Sequence, residues 1–244
     1  MMILNTSAPS WTPSLKPKLN SCWITSANSF IAKNILEQLK GKYVFTTTTH
    51  QELDLCDSEA VNVFLADKYF DCVIHTACVG GRGASSPDYK DTQDIFDRNY
   101  NMFENLLNNQ DRFKYLINFG SGADKFNTDK YNNWYGKAKR VIALIIKEHK
   151  NMINIRLYGV WGKYEDETRF PTYCTTHDTV DIEDKLMRYI NVDKLVKIVD
   201  GIIQKWPKGK REITLGEPIR LSEFAKILNP NIKVNIKGKG EDYI

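Results

Sequence analysis

The chain has 244 residues and carries 34 Lys and Arg against 30 Asp and Glu, a formal charge of +4. Hydrophobic residues make up 42% and charged residues 26%, a globular balance that excludes a disordered, collagen-like or low-complexity chain. No apolar run approaches the roughly eighteen residues of a membrane span, and the net charge is too small to argue for nucleic acid, so neither partner is expected.

Met1 to Asn20 contains Pro, Ser and Thr but no apolar core of a secretion signal, and reads as a flexible arm of a cytoplasmic protein. Five cysteines (Cys22, Cys56, Cys72, Cys78, Cys174) are scattered and odd in number. None forms a C-x-x-C pair or sits near a His at zinc-site spacing, so reduced thiols and no metal are expected. The ordered pattern begins at Ser21. Cys22–Thr25 is a short apolar run suited to a buried parallel strand. Phe30, Ile31, Ile35, Leu36 and Leu39 follow at helical spacing, closed by Gly41. The pattern then predicts a strand over Tyr43–Thr47, a helix over Ser58–Tyr69 and a strand over Cys72–Ala77. A helix over Asp91–Asn108, a strand over Tyr115–Phe119, a helix over Tyr135–His149 and a strand over Ile153–Leu157 complete the run. After Arg169 the periodicity loosens, leaving a helix over Val192–Ile203, a short strand over Glu212–Leu215 and a helix over Ser222–Leu228. No internal repeat is visible.

Strands alternating with helices at this spacing mean βαβ units and a doubly wound parallel α/β sheet of Rossmann type. The expected division is an arm over 1–20, a dinucleotide-binding core over 21–162 and a small, reduced substrate lobe over 163–244 that returns a helix and a strand to the core. Such a sheet holds its ligand beyond the C-terminal ends of its strands, which directs attention to the residues after Thr25, Thr47, Ala77, Phe119 and Leu157.

In the first of these turns Ser26, Ser29 and Ala32 stand at the spacing of a glycine-rich dinucleotide turn. All are small, as close approach to a pyrophosphate requires, and none is Gly. An ordinary strand–helix turn satisfies the same residues. Farther on, Tyr135-Gly136-Lys137-Ala138-Lys139 puts a phenol and an ammonium on one helical face. A cation beside a phenol lowers its pKa, which suits Tyr135 to proton transfer. Twelve tyrosines make the spacing alone weak. Its place after the fourth strand, with Ser121 just beyond that strand in Asn118-Phe119-Gly120-Ser121-Gly122, gives it weight. Ser121 is placed to hydrogen-bond a carbonyl that Tyr135 protonates. A turn serine beside a solvated lysine pair is the plainer reading.

With these residues in view, the chain resembles the extended short-chain dehydrogenase/reductase family of nucleotide-sugar enzymes, and within it the epimerase/reductase branch. The resemblance runs from about Asn20 to Leu228. It is carried by Asp71-Cys72-Val73-Ile74-His75-Thr76-Ala77-Cys78-Val79-Gly80-Gly81, by Glu52 to Asp57, by Asn99 and Asn105, by Arg156 to Gly162, by Met187 to Asp193 and by Ile213-Thr214-Leu215-Gly216. It implies an NAD(P)-dependent reduction of a keto group on a nucleotide-linked deoxysugar, in a homodimer built on the helices that carry Asn99 and Tyr135. Ser121, Tyr135 and Lys139 would be the catalytic set. The resemblance places the cofactor against Ser26, Asn28, Ser29, Phe30 and Ile31, then Thr48, His50, Asp54 and Leu55 at the adenine end. Thr76, Ala77, Cys78, Asn99 and Lys139 would serve the ribose and nicotinamide end. Gly80, Gly81, Gly122, Ala123, Gly159 and Arg169 would face the substrate.

The departures are specific. The fingerprint glycines are replaced. Strand two ends in Thr46-Thr47-Thr48-Thr49-His50, with neither the acidic residue of NAD sites nor the Arg of NADP sites; hydroxyls and His50 lean slightly to NADP. Ala123 stands where the epimerase/reductases carry an acid/base Cys, and their second epimerisation residue, a His, has only His177 and Cys174 as replacements here. Lys205 to Arg211 and Lys233 to Lys239 read as basic solvated surface, and Trp134 and Trp161 as rim or packing residues. Reduction needs only the Ser/Tyr/Lys set and a cofactor, whereas two epimerisations need more than the sequence offers. The competing expectation is a degenerate Rossmann module that binds or scaffolds without catalysis.

Overall fold

The computed structural model describes residues 20–81, 90–125 and 133–244; the expected arm, apart from Asn20, lies outside them. Along the chain run β1 (Ser21–Thr25), α1 (Phe30–Gln38), β2 (Val44–Thr48), α2 (Ser58–Leu65), β3 (Phe70–His75), α3 (Gln93–Asn108), β4 (Phe113–Ser121), α4 (Trp134–Lys147) and β5 (Met152–Leu157). There follow β6 (Gly159–Trp161), α5 (Phe170–Thr176), β7 (Thr179–Asp184), β8 (Leu186–Asn191), α6 (Val192–Gln204), β9 (Glu212–Thr214), β10 (Glu217–Arg220), α7 (Leu221–Leu228) and β11 (Lys233–Lys239).

The main sheet has six strands in the order β2-β1-β3-β4-β5-β9, each parallel to its neighbours. The chain steps outward from β1 to β2, then returns across β1 to begin β3. The strand order therefore reverses between β1 and β3, and a cleft opens there beyond the strands' C-terminal ends.

Alternation along each strand builds both layers. Cys22 and Ile24 of β1 face a cluster with Ile35 of α1 and Leu195, Val199 and Ile202 of α6. Trp23, between them, faces the opposite cluster with Val61 of α2, Phe103 of α3 and Ile142 of α4. The indole N–H of buried Trp23 needs an acceptor and finds it in Thr48 Oγ1 at 3.0 Å. Six buried apolar residues of α6, among them Val192, Leu195 and Val199, each contribute about 1.5–3 kcal/mol by leaving water. This explains why a helix so late in sequence is recruited to the core.

The C-terminal lobe has its own cluster of Cys174, Val180, Ile182, Leu221, Ala225 and Ile232. Two small sheets frame it, β10-β8-β6 and β11-β7. The helix α6 and strand β9 return from this part of the chain to the main sheet. The loose pattern after Arg169 resolves into α5, β7, β8 and β10, and the Lys-rich tail segment into β11. One of the two basic segments expected as solvated surface is thus a strand, with Lys233, Lys237 and Lys239 still exposed.

Candidate active site

The first turn is built without glycine. Ser26 holds φ +50°, a left-handed conformation that costs a side-chain-bearing residue about 1–2 kcal/mol and for which the usual first glycine is selected. Ser29 caps α1, its hydroxyl accepting from the Ala32 amide at 3.4 Å. Ala32 is fully buried and small enough for the helix to lie against the sheet. No acidic residue occupies the first turn of α1, so its positive end faces the cleft unopposed.

The cleft is about 1320 Å³ and is lined from α1 through β3 and β4 to the lobe, larger than the roughly 300–1,000 Å³ that holds one drug-sized ligand. Asn28, Ser29, Phe30 and Ile31 form one end; Thr76, Ala77, Cys78, Gly80 and Gly81 form the wall beyond β3. The preserved turn, the unopposed helix end and the volume fit a dinucleotide with a second ligand beside it.

Ser121, Tyr135 and Lys139 all face this cleft. Ser121 ends β4 and its Oγ accepts from the Ala123 amide at 3.2 Å. Tyr135 and Lys139 lie on the same face of α4. The Lys139 ammonium donates to the Phe119 carbonyl at 3.0 Å and sits 5.6 Å from the centre of the Tyr135 ring. The Tyr135 hydroxyl lies within hydrogen-bonding reach of Ser121 and 3.9 Å from Cys78 Sγ. A Cβ on Gly81 would stand 2.7 Å from Tyr135 Cζ, so the Gly80-Gly81 turn is what admits the phenol. Tyr135 does not behave as the lysine spacing predicts. Burial, followed by the charge of Cys78, pushes its pKa well above the usual phenol value, although the Ser121 hydrogen bond opposes this. Lys139 is held by a backbone carbonyl under the ring, so it does not compensate for the lost solvation. The phenol is a protonated donor at neutral pH.

The helix that carries Tyr135 is anchored by a residue the sequence left unmarked. The Asp91 carboxylate accepts from the amides of Trp134 at 2.6 Å and Tyr135 at 3.1 Å, and Asn133 caps the same end through the Gly136 amide at 2.8 Å. Asp91→Ala leaves two helix-terminal N–H groups without that partner. It is expected to cost about 1–2 kcal/mol, read as a lowered denaturation midpoint; an unchanged midpoint would remove Asp91 from this role.

Other expected site residues lie elsewhere. Thr48 is buried and committed to Trp23. Leu55 is buried in the core, its carbonyl accepting from Asn105 at 2.9 Å. His50 and Asp54 are exposed and 3.7 Å apart, beyond the C-terminal end of β2. Asn99 acts on the wall rather than on a ligand: it accepts from the Val79 amide at 3.1 Å and donates to the Val79 carbonyl at 2.8 Å. Gly122 and Gly159 lie under the rings of Tyr158 and Tyr189, whereas Ala123 and Arg169 do line the cleft. Arg169 pairs with Glu165 at 3.1 Å. Neither replacement for the epimerisation residues reaches the cleft. Cys174 is in the lobe core, and His177 is exposed and stacked on Tyr173 at 3.8 Å. Trp134 and Trp161 pack edge-on against Phe96 and Phe224. Lys185, Asp91 and Tyr243 line the cleft without having been marked by sequence.

His75, at the end of β3, is buried against Thr25 Oγ1 at 3.2 Å. Burial and the Lys139 charge lower its pKa from 6.5 to about 3, so the folded protein keeps it neutral. The unfolded chain takes up a proton below pH 6.5 that the folded chain refuses, so stability falls as pH drops from about 6.5 toward about 3. Between pH 7 and pH 5 His75 is expected to remove about 2 kcal/mol. Denaturant unfolding at the two pH values measures it, and His75→Asn should flatten the difference.

Over residues 22–196 the sequence matches the NAD dependent epimerase/dehydratase family, and the chain belongs to that family. No curated protein matches it in sequence. Among solved structures it is similar to a GDP-D-glycero-L-gluco-heptose synthase of Campylobacter jejuni, with TM-score 0.77, 15% identity, and 93% of this chain and 90% of that one covered. It is also similar to a dTDP-4-dehydrorhamnose reductase of Bacillus anthracis in complex with NADP, with TM-score 0.73, 17% identity and 94% and 90% covered. A GDP-L-fucose synthetase of Naegleria fowleri bound to NADP follows at TM-score 0.69, 14% identity and 92% and 84% covered. At these identities the likeness is one of fold. The nearly equal shares covered make the heptose synthase close to this chain in length, so the compact C-terminal lobe has a counterpart there. Among the described residues no helix is long and apolar enough to cross a membrane.

Proposed function

We infer that the protein is an NAD(P)-dependent reductase of a keto group on a nucleotide-linked sugar, with NADPH the preferred donor. The observation that carries this reading is the convergence of Ser121, Tyr135 and Lys139 on one cleft at the sheet's switch point. The NADP-bound rhamnose and fucose structures, and the Campylobacter heptose synthase crystallised with NADPH, support the cofactor preference.

In this reading the amide end of α1 with Asn28, Ser29, Phe30 and Ile31 holds the pyrophosphate, Thr76 to Cys78 flank the ribose, and Lys139 reaches the nicotinamide ribose. His50 receives the 2′-phosphate. A bound nicotinamide supplies a hydride to the carbonyl carbon. Ser121 donates a hydrogen bond to the carbonyl oxygen, and Tyr135 delivers its phenol proton there as negative charge develops. Arg169 and Lys185, both on the lobe side of the cleft, meet the substrate's diphosphate. The protein acts as a reductase rather than a double epimerase, since Ala123 supplies no acid/base and Cys174 and His177 lie off the cleft. It works in the cytoplasm as a homodimer through α3 and α4. Supporting the dimer, Leu144 of α4 is 52% exposed.

The test is a thermal-shift panel. NADPH at a hundred times its dissociation constant should stabilise the fold by about 2.7 kcal/mol, with NADH weaker. No shift with either at millimolar concentration would favour a non-catalytic module that has lost its cofactor with its glycines.

A further inference from the structure

One buried charge beside the cleft has no part in the proposed hydride or proton transfer. Glu165 belongs to the turn between β6 and α5, and its side chain is 1% exposed. A carboxylate at that depth persists only where it is paired. Its Oε2 accepts from the Thr172 hydroxyl at 3.1 Å. Its Oε1 takes no hydrogen bond among the described residues and has Arg169 Nε, 3.1 Å away, as its counter-charge. Burial raises the Glu165 pKa, and the Arg169 charge and the Thr172 hydroxyl act against that rise.

Arg169 is the open half of the pair, with a side chain 41% exposed on the cleft wall. The ion pair engages Nε, at the root of the guanidinium, so the two terminal nitrogens form the outer end of the fork. That fork matches two phosphate oxygens at once. The turn that carries the pair is itself fixed. The Glu165 amide donates to the Gly162 carbonyl at 3.1 Å, and the Arg169 amide to the Asp166 carbonyl at 3.1 Å. The buried Asn34 side chain of α1 donates to the Lys163 carbonyl at 2.7 Å, which ties the turn to the helix read as the pyrophosphate site. An arginine that binds from solvent loses rotamer freedom at a cost in affinity. One already held by a buried carboxylate has lost that freedom beforehand. A carboxylate this close to an anion site also repels the anion. Removing its charge would tighten anion binding by Coulomb's law alone, whereas removing an anchor would weaken it.

We propose that Glu165 is a positioning residue for the substrate's diphosphate: it anchors Arg169 at Nε, so that the outer end of the guanidinium is presented to the phosphates. The inference rests on the keto-sugar reading, in which Arg169 meets that diphosphate, and its test separates the two. The variants are Glu165→Gln, which keeps the size and a partner for Thr172, Arg169→Gln, and the double variant, each compared with the parent in melting midpoint and NADPH affinity. The readout is calorimetric titration with GDP, dTDP, UDP and CDP. For the nucleotide that the parent binds, Glu165→Gln is expected to raise Kd roughly three- to tenfold, with NADPH affinity held within about twofold. In the Arg169→Gln background it should weaken binding no further. A sugar that is turned over should show the same rise in KM, with a smaller change in kcat. Arg169→Lys, which keeps the charge but has no Nε and leaves the buried carboxylate in place, should weaken the nucleotide as well. Unchanged or tighter nucleotide binding in Glu165→Gln would overturn the proposal. So would a loss that persists in the Arg169→Gln background, an equal loss of NADPH affinity, or parent-like binding in Arg169→Lys. A nucleotide bound equally by the parent and Glu165→Gln sinks the anchor alone; no nucleotide bound by the parent sinks the keto-sugar reading with it.

Discussion

Tyr135→Phe is expected to lower kcat by about a thousandfold while leaving NADPH affinity within a few-fold of the parent, within the range typical for removal of a positioned general acid. The phenylalanine ring keeps the shape that fills the turn at Gly81 and keeps the face above Lys139. What disappears is the hydroxyl that Ser121 meets at the end of β4. In the proposed mechanism that hydroxyl is the proton donor, and burial holds its pKa above the usual phenol range. The acid form is the active form for reduction, so kcat should hold through neutrality and fall only as alkaline pH ionises the phenol. Steady-state rates and cofactor titration of the variant decide it. Parent-like kcat would remove Tyr135 from the proposed mechanism.

The second large effect is on the fold, and it lies directly beneath the site. Arg156 of β5 and Asp124, just past Ser121, are both buried; their side chains are 6% and 2% exposed and pair at 2.7 Å. The same guanidinium reaches Glu212 at the head of β9 at 2.5 Å. Burial alone would lower the Arg156 pKa, but the hydrogen bonds it donates to Asp124 and Glu212 hold it above its usual value. Arg156→Ala strands the Asp124 carboxylate in the interior. Breaking a buried pair from one side costs about 3–5 kcal/mol, which for a chain of this size is a fall in melting midpoint of about 10 °C. Because Asp124 closes the short helical turn that follows Ser121, activity should fall with stability. A midpoint within two or so degrees of the parent would mean that the ion pair is dispensable.

How far these features were legible depends on the range of the interaction behind them. The central strands of the main sheet, β1, β3, β4 and β5, are buried on both faces, so Cys22–Thr25, Cys72–Ala77 and Ile153–Leu157 stand out as apolar runs, and their alternation with helices gives the doubly wound architecture. The lobe is built differently. Thr179–Asp184 alternates one buried face with one exposed, a signal present in Val180 and Ile182 but short and crowded with charge. Its partner β11 begins more than fifty residues later, so no local pattern announces the pair.

The site divides in the same way. Tyr135 and Lys139 are visible because a helix turn brings them together, and Ser121 because it follows a strand. Asp91 and Tyr243 join them only through tertiary contact. Thr48 is expected at the cofactor, whereas its hydroxyl accepts from Trp23; the need of a buried indole for an acceptor is invisible in the sequence alone. The Tyr135 shift runs opposite to the spacing for a related reason: a nearby lysine is legible in the sequence, whereas burial of the phenol and the carbonyl that holds Lys139 are not.

The proposed reaction is hydride transfer to a nucleotide-linked keto-sugar with Tyr135 as proton donor. The most direct measurement is loss of nicotinamide absorbance when the purified protein is mixed with NADPH and a panel of GDP- and dTDP-linked 4-keto sugars, run in parallel with Tyr135→Phe. NADPH oxidation dependent on one sugar class is expected, abolished in the variant, with the product's C4 reduced and its other stereocentres unchanged. Oxidation that persists in Tyr135→Phe would contradict it, as would tight NADPH binding with no sugar in the panel reduced.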